Sequence, residues 1–266
     1  MRLSGSLEKY YITPPSGNDS DDSFPLINAK AIGHGGSGTV FEMDEKWVIK
    51  VFTDDEEGQL DLRREKEIFD ALQSGECSSQ VIKFKEQRGS GLVLEHLTMT
   101  LRQRLMQQPP SSRDDLAPRW ARQTCEGLAF LHERGVIHGD LGCQNILLDS
   151  QDDAKICDFA GSKIGDKDAW ISYEVRSQDP RYFGHQPTIK TEIFAFGSVL
   201  FEIWTSRAPY FDEAPMDVRQ KFLDQQYPLR EMKDHEMEGI VEKCWTDGYE
   251  LVSEISKELE SLGISP

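Results

Sequence analysis

Apolar and polar positions change character twice along this chain. Residues 1–24 are polar and interrupted by Pro14, Pro15, Gly17 and a Ser/Asp run, which predicts a mobile arm. At most one short edge strand is expected there, at Tyr10, Tyr11 and Ile12. Short β-branched or aromatic runs then follow at 27–32, 39–43 and 47–52, each bounded by glycine-rich or charged turns, and predict three strands. Residues 60–72 carry Leu60, Ile68 and Leu72 amid dense charge and predict an exposed helix, and 81–85 and 92–97 predict two more strands. Beyond His96 the pattern turns helical. Trp120, Thr124, Leu128 and Leu131 recur at three- and four-residue spacing within a helix predicted over 120–135. Two short strands are expected at 146–148 and 154–157, then a helix over 192–204 so apolar that it would be buried nearly all round. Two amphipathic helices are expected around Cys244 and Trp245. The pattern predicts an α+β chain of two lobes: residues 25–95 with five strands and one helix, and residues 96–266, mainly helical. A cleft between such lobes is the usual place for a ligand.

Charge and cysteine usage narrow the setting. The chain has 47 acidic and 30 basic residues, a net charge of −17, which argues against nucleic acid or an anionic membrane as a partner. No apolar run is long enough to span a membrane, and the first residues lack the apolar core of a secretion signal, so a cytoplasmic protein is expected. The five cysteines are dispersed without a C-x-x-C pair, which disfavours a disulfide framework or structural zinc and suits buried free thiols.

Two stretches carry candidate chemistry. Gly33-His34-Gly35-Gly36-Ser37-Gly38 forms G-x-G-x-x-G with strand-like residues on both sides, where a dinucleotide-binding turn would lead into a helix. A glycine hairpin can lay backbone N–H groups over phosphates with no Cβ in the way, although a tight turn alone also uses glycines. Lys50 follows in an apolar strand and needs an anion, either a ligand phosphate or Glu67 in the predicted helix. Further on, His138-Gly139-Asp140-Leu141-Gly142-Cys143-Gln144-Asn145 precedes Cys157-Asp158-Phe159-Ala160-Gly161. Asn145 and Asp158 offer hard oxygen ligands for Mg²⁺, and Asp140 is placed to accept or orient the proton of an attacking hydroxyl.

These motifs, in this order, resemble the eukaryotic protein kinase family over nearly the whole chain. The wording of HGDLGCQN and CDFAG is also reminiscent of a group of fungal kinase-like proteins. The resemblance implies a bilobal fold holding ATP and Mg²⁺. Gly33, Gly35 and Gly38 would cover the phosphates, and Lys50, paired with Glu67, would hold the α- and β-phosphates. Val40, Val48 and Leu147 would enclose the adenine, whose edge would meet backbone groups of Glu95 and Leu97 beyond a gatekeeper at Leu94. Asp140 would be catalytic, and Asn145 and Asp158 would hold the metal.

Several positions depart from the family pattern. Gly139 stands where an arginine usually receives an activation-loop phosphate, so activity independent of phosphorylation at Ser162, Ser172, Tyr173 and Ser177 is expected. Gly142 and Gln144 supply neither of the cations that serine/threonine and tyrosine kinases place near the γ-phosphate. Asp179-Pro180-Arg181 replaces Ala-Pro-Glu, and Val252 stands where the glutamate's arginine partner is expected, so both ends of that ion pair read as lost. Glu192 replaces a bracing aspartate.

Three functions fit the sequence. The first is a protein kinase acting on a protein hydroxyl, serine or threonine ahead of tyrosine; the others are a nucleotide-binding scaffold with little transfer and a small-molecule phosphotransferase. Ten acidic and three basic residues between Glu231 and Glu260 suggest a protein substrate with basic segments.

Overall fold

The computed structural model describes residues 29–108 and 116–264. The arm at 1–24, with Tyr10, Tyr11 and Ile12, and the beginning of the first expected strand lie outside the described residues. The chain divides into two compact units: residues 29–67 with Lys83–His96, and Ile68–Ile82 with the residues from Leu97 onward. The division therefore cuts the first helix and assigns the segment after it to the second unit, where the sequence suggested a single cut near residue 95.

The first unit is an antiparallel sheet of β1 (Ala31–Gly35), β2 (Gly38–Glu42), β3 (Trp47–Val51), β4 (Phe84–Arg88) and β5 (Gly91–Glu95), in the order β1-β2-β3-β5-β4. Strand alternation separates its two faces. Ile49, Val51 and Val93 form an apolar cluster with Phe41, Met43 and Trp47. The intervening positions Val40, Val48, Lys50, Leu92 and Leu94 share the opposite face, because Val40 pairs with Lys50, Lys50 with Leu92, and Val48 with Leu94. Helix α1 (Glu56–Leu72) begins in this unit.

The run predicted as one strand over 81–85 splits between the units. Val81 makes an isolated parallel bridge to Ile156, and the Ile82 N–H donates to the Ile156 carbonyl, whereas Phe84 opens β4.

The second unit contains a small sheet in the order β6-β8-β9, from β6 (Met99–Thr100), β8 (Ile146–Leu148) and β9 (Ala154–Ile156), and a ribbon of β7 (Val136–Ile137) with β10 (Lys163–Ile164). Its helices are α2 (Leu101–Gln107), α3 (Ala117–Glu133), α4 (Ile189–Thr205), α5 (Pro215–Leu223), α6 (His235–Trp245) and α7 (Val252–Ser261). Helix α2 is closed by a capping box in which Thr100 accepts from the Gln103 N–H. Helix α4 is buried at every position from Thr191 to Ile203, matching its apolar sequence. It lies so close to α6 that a Cβ on Gly197 would meet the Cys244 Cβ at 2.7 Å. Trp245 fills the space beside this crossing, packed among Phe194, Phe201, Phe222 and Tyr227. Helix α5, which the sequence pattern did not single out, seats only Val218 and Phe222 in the core.

Candidate active site

Within the first unit the glycine motif is a hairpin. Gly35 pairs with Gly38 across Gly36 and Ser37, and none of these glycines lies in the left-handed region, so positive φ is not what selects them. Gly38 is required by close approach, because a Cβ there would sit 2.4 Å from the Val51 carbonyl oxygen. At Gly35 and Gly36 a Cβ would meet nothing within 4 Å, which leaves the tip of the hairpin backbone open to a ligand.

Lys50 lies on the same sheet face as Val40 and Val48 and is buried, with its ammonium 2.7 Å from the Glu65 carboxylate. The partner is Glu65, not Glu67 as the sequence suggested. The reason is helical phase. At about 100° per residue, the two glutamates point roughly 200° apart. Glu65 belongs to the buried stripe of Leu62, Phe69 and Leu72, whereas Leu60, one of the apolar positions of the predicted helix, is exposed. The signal was present in the 62-65-69-72 spacing, with a glutamate where an apolar residue would ordinarily stand. Glu67 is only half-buried. At the end of β5, the Glu95 N–H donates to the Lys83 carbonyl and the His96 N–H to the Lys46 carbonyl.

In the second unit, Leu97 precedes β6, Asp140 and Asn145 belong to one compact loop before β8, Leu147 lies on β8, and Asp158 follows β9. The Asn145 side-chain amide donates to the Asp140 carbonyl at 2.8 Å and to its carboxylate at 2.9 Å. The Cys157 N–H donates to the Asn145 carbonyl, which ties the residue before Asp158 to the same loop. His138 is buried under this arrangement, with Nε2 bound to the Cys157 carbonyl and Nδ1 accepting the Asp140 N–H. Phe159 packs against His138 and edge-on against Phe69. Asp158 has φ +68°, an uncommon conformation for a non-glycine residue and a local strain at the candidate metal ligand. Leu147 alternates with the buried Ile146 and Leu148 along β8 and is itself less buried.

Burial pushes the Asp140 carboxyl up to about 6, and the nearby Glu174 and Asp158 charges add to this, while the His138 ring and the Asn145 amide oppose it. The Cys143 thiol is raised by burial, as are those of Cys125 and Cys244, which suits inert core thiols rather than nucleophiles.

Glu192 is the hub beneath the loop. Fully buried, it accepts the backbone N–H groups of His138 and Gly139 at 2.7 and 2.9 Å, the His132 ring at 3.2 Å and the Tyr173 hydroxyl at 3.1 Å. Burial alone would raise its carboxyl, but the His132 hydrogen bond, the neighbouring His132 and His138 rings and the Gly139 N–H hold it below the usual range. Gly139 has φ +78°, which glycine adopts without the strain another residue would carry. Gly142 makes room for its neighbour, since a Cβ there would fall 2.3 Å from the Gln144 carboxamide oxygen.

The Asp179-Pro180-Arg181 segment also departs from its sequence reading. Instead of two lost ends, Arg181 forms an ion pair with buried Asp179 and a second one with Asp247, two residues beyond Trp245. The polarity of the brace is reversed and its partner lies earlier in the chain than Val252. Its signal was an acidic residue near Cys244-Trp245 matched with a basic one after Pro180. Among the described residues no helix is long and apolar enough to cross a membrane.

Comparison with known proteins agrees with this geometry. Residues 26–263 match the protein kinase domain family. A segment is 30% identical over 131 residues to a protein of Dictyostelium discoideum named as a probable serine/threonine-protein kinase, covering 47% of this chain and 14% of that one. Another is 34% identical over 109 residues to a mitogen-activated protein kinase kinase kinase of Caenorhabditis elegans, covering 39% of this chain and 12% of that one. A third is 43% identical over 93 residues to a nodulation receptor kinase of Pisum sativum, covering 31% and 10%. The matches thus span a small part of these longer relatives. With a family match across almost its whole length, the chain belongs to the protein kinase family.

Proposed function

We propose that this domain is an ATP- and Mg²⁺-dependent protein kinase that transfers the γ-phosphoryl group to a protein hydroxyl, serine or threonine ahead of tyrosine. We propose further that it does so without phosphorylation of the segment after Asp158. The observation that carries this reading is the loop in which Asn145 holds Asp140 by two hydrogen bonds. That contact orients a carboxylate whose pKa, at about 6, suits a group that accepts or positions a hydroxyl proton near neutrality. Asn145 and Asp158 fit Mg²⁺ in donor type, both offering hard oxygens on backbone joined through the Cys157 N–H, with phosphate oxygens and water completing the shell. When bound, the ion would neutralise charge on the transferring phosphoryl group. Lys50, fixed by Glu65, is the group suited to hold the α- and β-phosphates, and the open hairpin tip at Gly35 and Gly36 suits phosphate approach through backbone N–H groups. Val40, Val48 and Leu147 are proposed to flank the adenine, with Glu95 and Leu97 offering backbone groups to its edge.

The acidic stretch 231–260 is proposed to favour substrates with basic segments, a preference that would weaken as salt screens it. Free buried thiols are compatible with a cytoplasmic setting, which is part of the proposal. A second reading, a nucleotide-binding scaffold, is favoured by one feature. The Gln144 carboxamide lies where a side chain at 142 would begin, and neither residue brings a cation.

Thermal denaturation with and without Mg²⁺-ATP, followed by radiolabelled transfer to generic protein substrates, separates the readings. Stabilisation with transfer supports the kinase, stabilisation without transfer supports the scaffold, and no stabilisation refutes the nucleotide site. The pH dependence supplies a finer check. Asp140 acts as its carboxylate, so with its pKa raised, kcat/KM should fall as pH drops through about 6. Glu174→Gln removes one charge that raises this pKa and should move the acidic limb downward. An acidic limb near pH 4 in the wild-type protein would contradict the assignment.

A further inference from the structure

The segment that follows Asp158 carries four hydroxyl residues, Ser162, Ser172, Tyr173 and Ser177, and three of them are buried. Ser162 donates to the His138 carbonyl at 2.7 Å. Tyr173 donates to the Glu192 carboxylate at 3.1 Å, on the oxygen that also accepts the Gly139 N–H. The same hydroxyl lies 3.3 Å from the Thr191 hydroxyl.

Other contacts fix the segment at the same place. Its start pairs as β10 with β7, immediately before His138. Ile171 is seated against two glycines: a Cβ on Gly161 would lie 2.6 Å from the Ile171 Cβ, and one on Gly139 would lie 3.4 Å from its Cγ2. The Gln186 carboxamide grips Ala169 from both sides, accepting its N–H at 2.8 Å and donating to its carbonyl at 3.1 Å. The side chain that position 139 lacks is thus replaced by contacts from the segment itself, and the neutral tyrosine hydroxyl meets a carboxylate that would repel a phosphate.

We propose that Tyr173 is a positioning residue that locks this segment onto the catalytic loop through Glu192, making the ordered state a property of the unmodified chain. The proposal rests on the kinase reading and adds to it the group that replaces phosphorylation. A hydrogen bond to a buried carboxylate holds the segment, and the same carboxylate holds the two N–H groups leading into Asp140. Loosening the segment therefore also frees the loop that presents Asp140.

Tyr173→Phe keeps the ring in the core and deletes only the hydroxyl, so the variant is expected to fold. It should lower kcat by roughly 10-fold with KM for ATP changed less than about 2-fold. Amide hydrogen exchange over residues 165–178 should quicken in the variant while α4 stays protected. A filler role alone would leave kcat and exchange unchanged, because the ring remains. Ser172→Ala, at the exposed hydroxyl, and phosphatase treatment of the wild-type protein should both leave the rate unaltered. Wild-type exchange and kcat in Tyr173→Phe, or loss of wild-type activity on phosphatase treatment, overturns the proposal. The exchange measurement needs no turnover, so it decides the lock even if the wild-type protein transfers no phosphate, an outcome that would instead count against the kinase reading.

Discussion

Glu65→Ala is expected to destabilise the protein by about 3–5 kcal/mol, whereas Glu67→Ala should cost less than about 1 kcal/mol. The asymmetry follows from the environment of Lys50. Its ammonium is buried beside the fully buried Glu65 carboxylate, and removal of that carboxylate deletes a charge that offsets the cost of burying the ammonium. Glu67, half-buried on another side of α1, is not the carboxylate beside Lys50, so its loss leaves that buried pair intact. For a chain of this size the loss at Glu65 corresponds to a fall in melting temperature on the order of 10 °C. Urea denaturation of both variants checks it. Equal losses, or a larger loss at Glu67, would contradict the pairing. On the proposed role of Lys50, Glu65→Ala should also weaken nucleotide binding, because it removes the carboxylate 2.7 Å from the ammonium.

The second large effect concerns Asp140. Asp140→Asn should reduce phosphoryl transfer by about 10²–10⁴-fold, the range expected when a positioned acid–base group is removed. The same substitution should raise the melting temperature at neutral pH. A carboxyl whose pKa is raised by folding favours its protonated form in the native state, so ionisation costs stability. That cost is absent below the unfolded-state pKa near 4 and fully present above about 6. The stabilisation by Asp140→Asn should therefore grow as pH rises across this window and level off beyond it. Loss of both activity and stability in the variant would instead mark Asp140 as a structural residue.

Much of this arrangement is legible in the sequence, and the exceptions share a cause. The strands around the glycine hairpin and Lys50 were readable because short β-branched or aromatic runs stand between glycine-rich or charged turns. Helix α4 was readable because its thirteen consecutive buried residues are mostly apolar. The loops of Asp140 and Asp158, the candidate catalytic and metal-binding segments, could be recognised from short, ordered motifs. The partner of Lys50 was misread because Glu65 and Glu67 stand two residues apart among many charges, and a glutamate inside an apolar stripe looks like one more exposed charge. The Arg181 brace and the Tyr173–Glu192 contact were missed for a different reason. Each joins residues distant in sequence, and no local periodicity reports which carboxylate a distant arginine or tyrosine will meet. The edge of the predicted strand over 81–85 failed where backbone pairing changes from Ile156 to β5 within a few residues.

Gly139 and Gly142 illustrate how a departure from family pattern takes on structural meaning. Sequence alone presents both as missing cations. In the fold, the first is a backbone N–H donor to Glu192 in a conformation suited to glycine, and the second yields its side-chain space to Gln144. Neither change disturbs the Asp140–Asn145 contact.

The most direct measurement is Mg²⁺-dependent incorporation of radiolabelled γ-phosphate into protein, run in parallel on phosphatase-treated wild-type chain and Asp140→Asn. The kinase account predicts incorporation onto serine or threonine by the wild-type protein and only background in the variant. A wild-type protein that is stabilised by Mg²⁺-ATP yet incorporates no more phosphate than Asp140→Asn would contradict it.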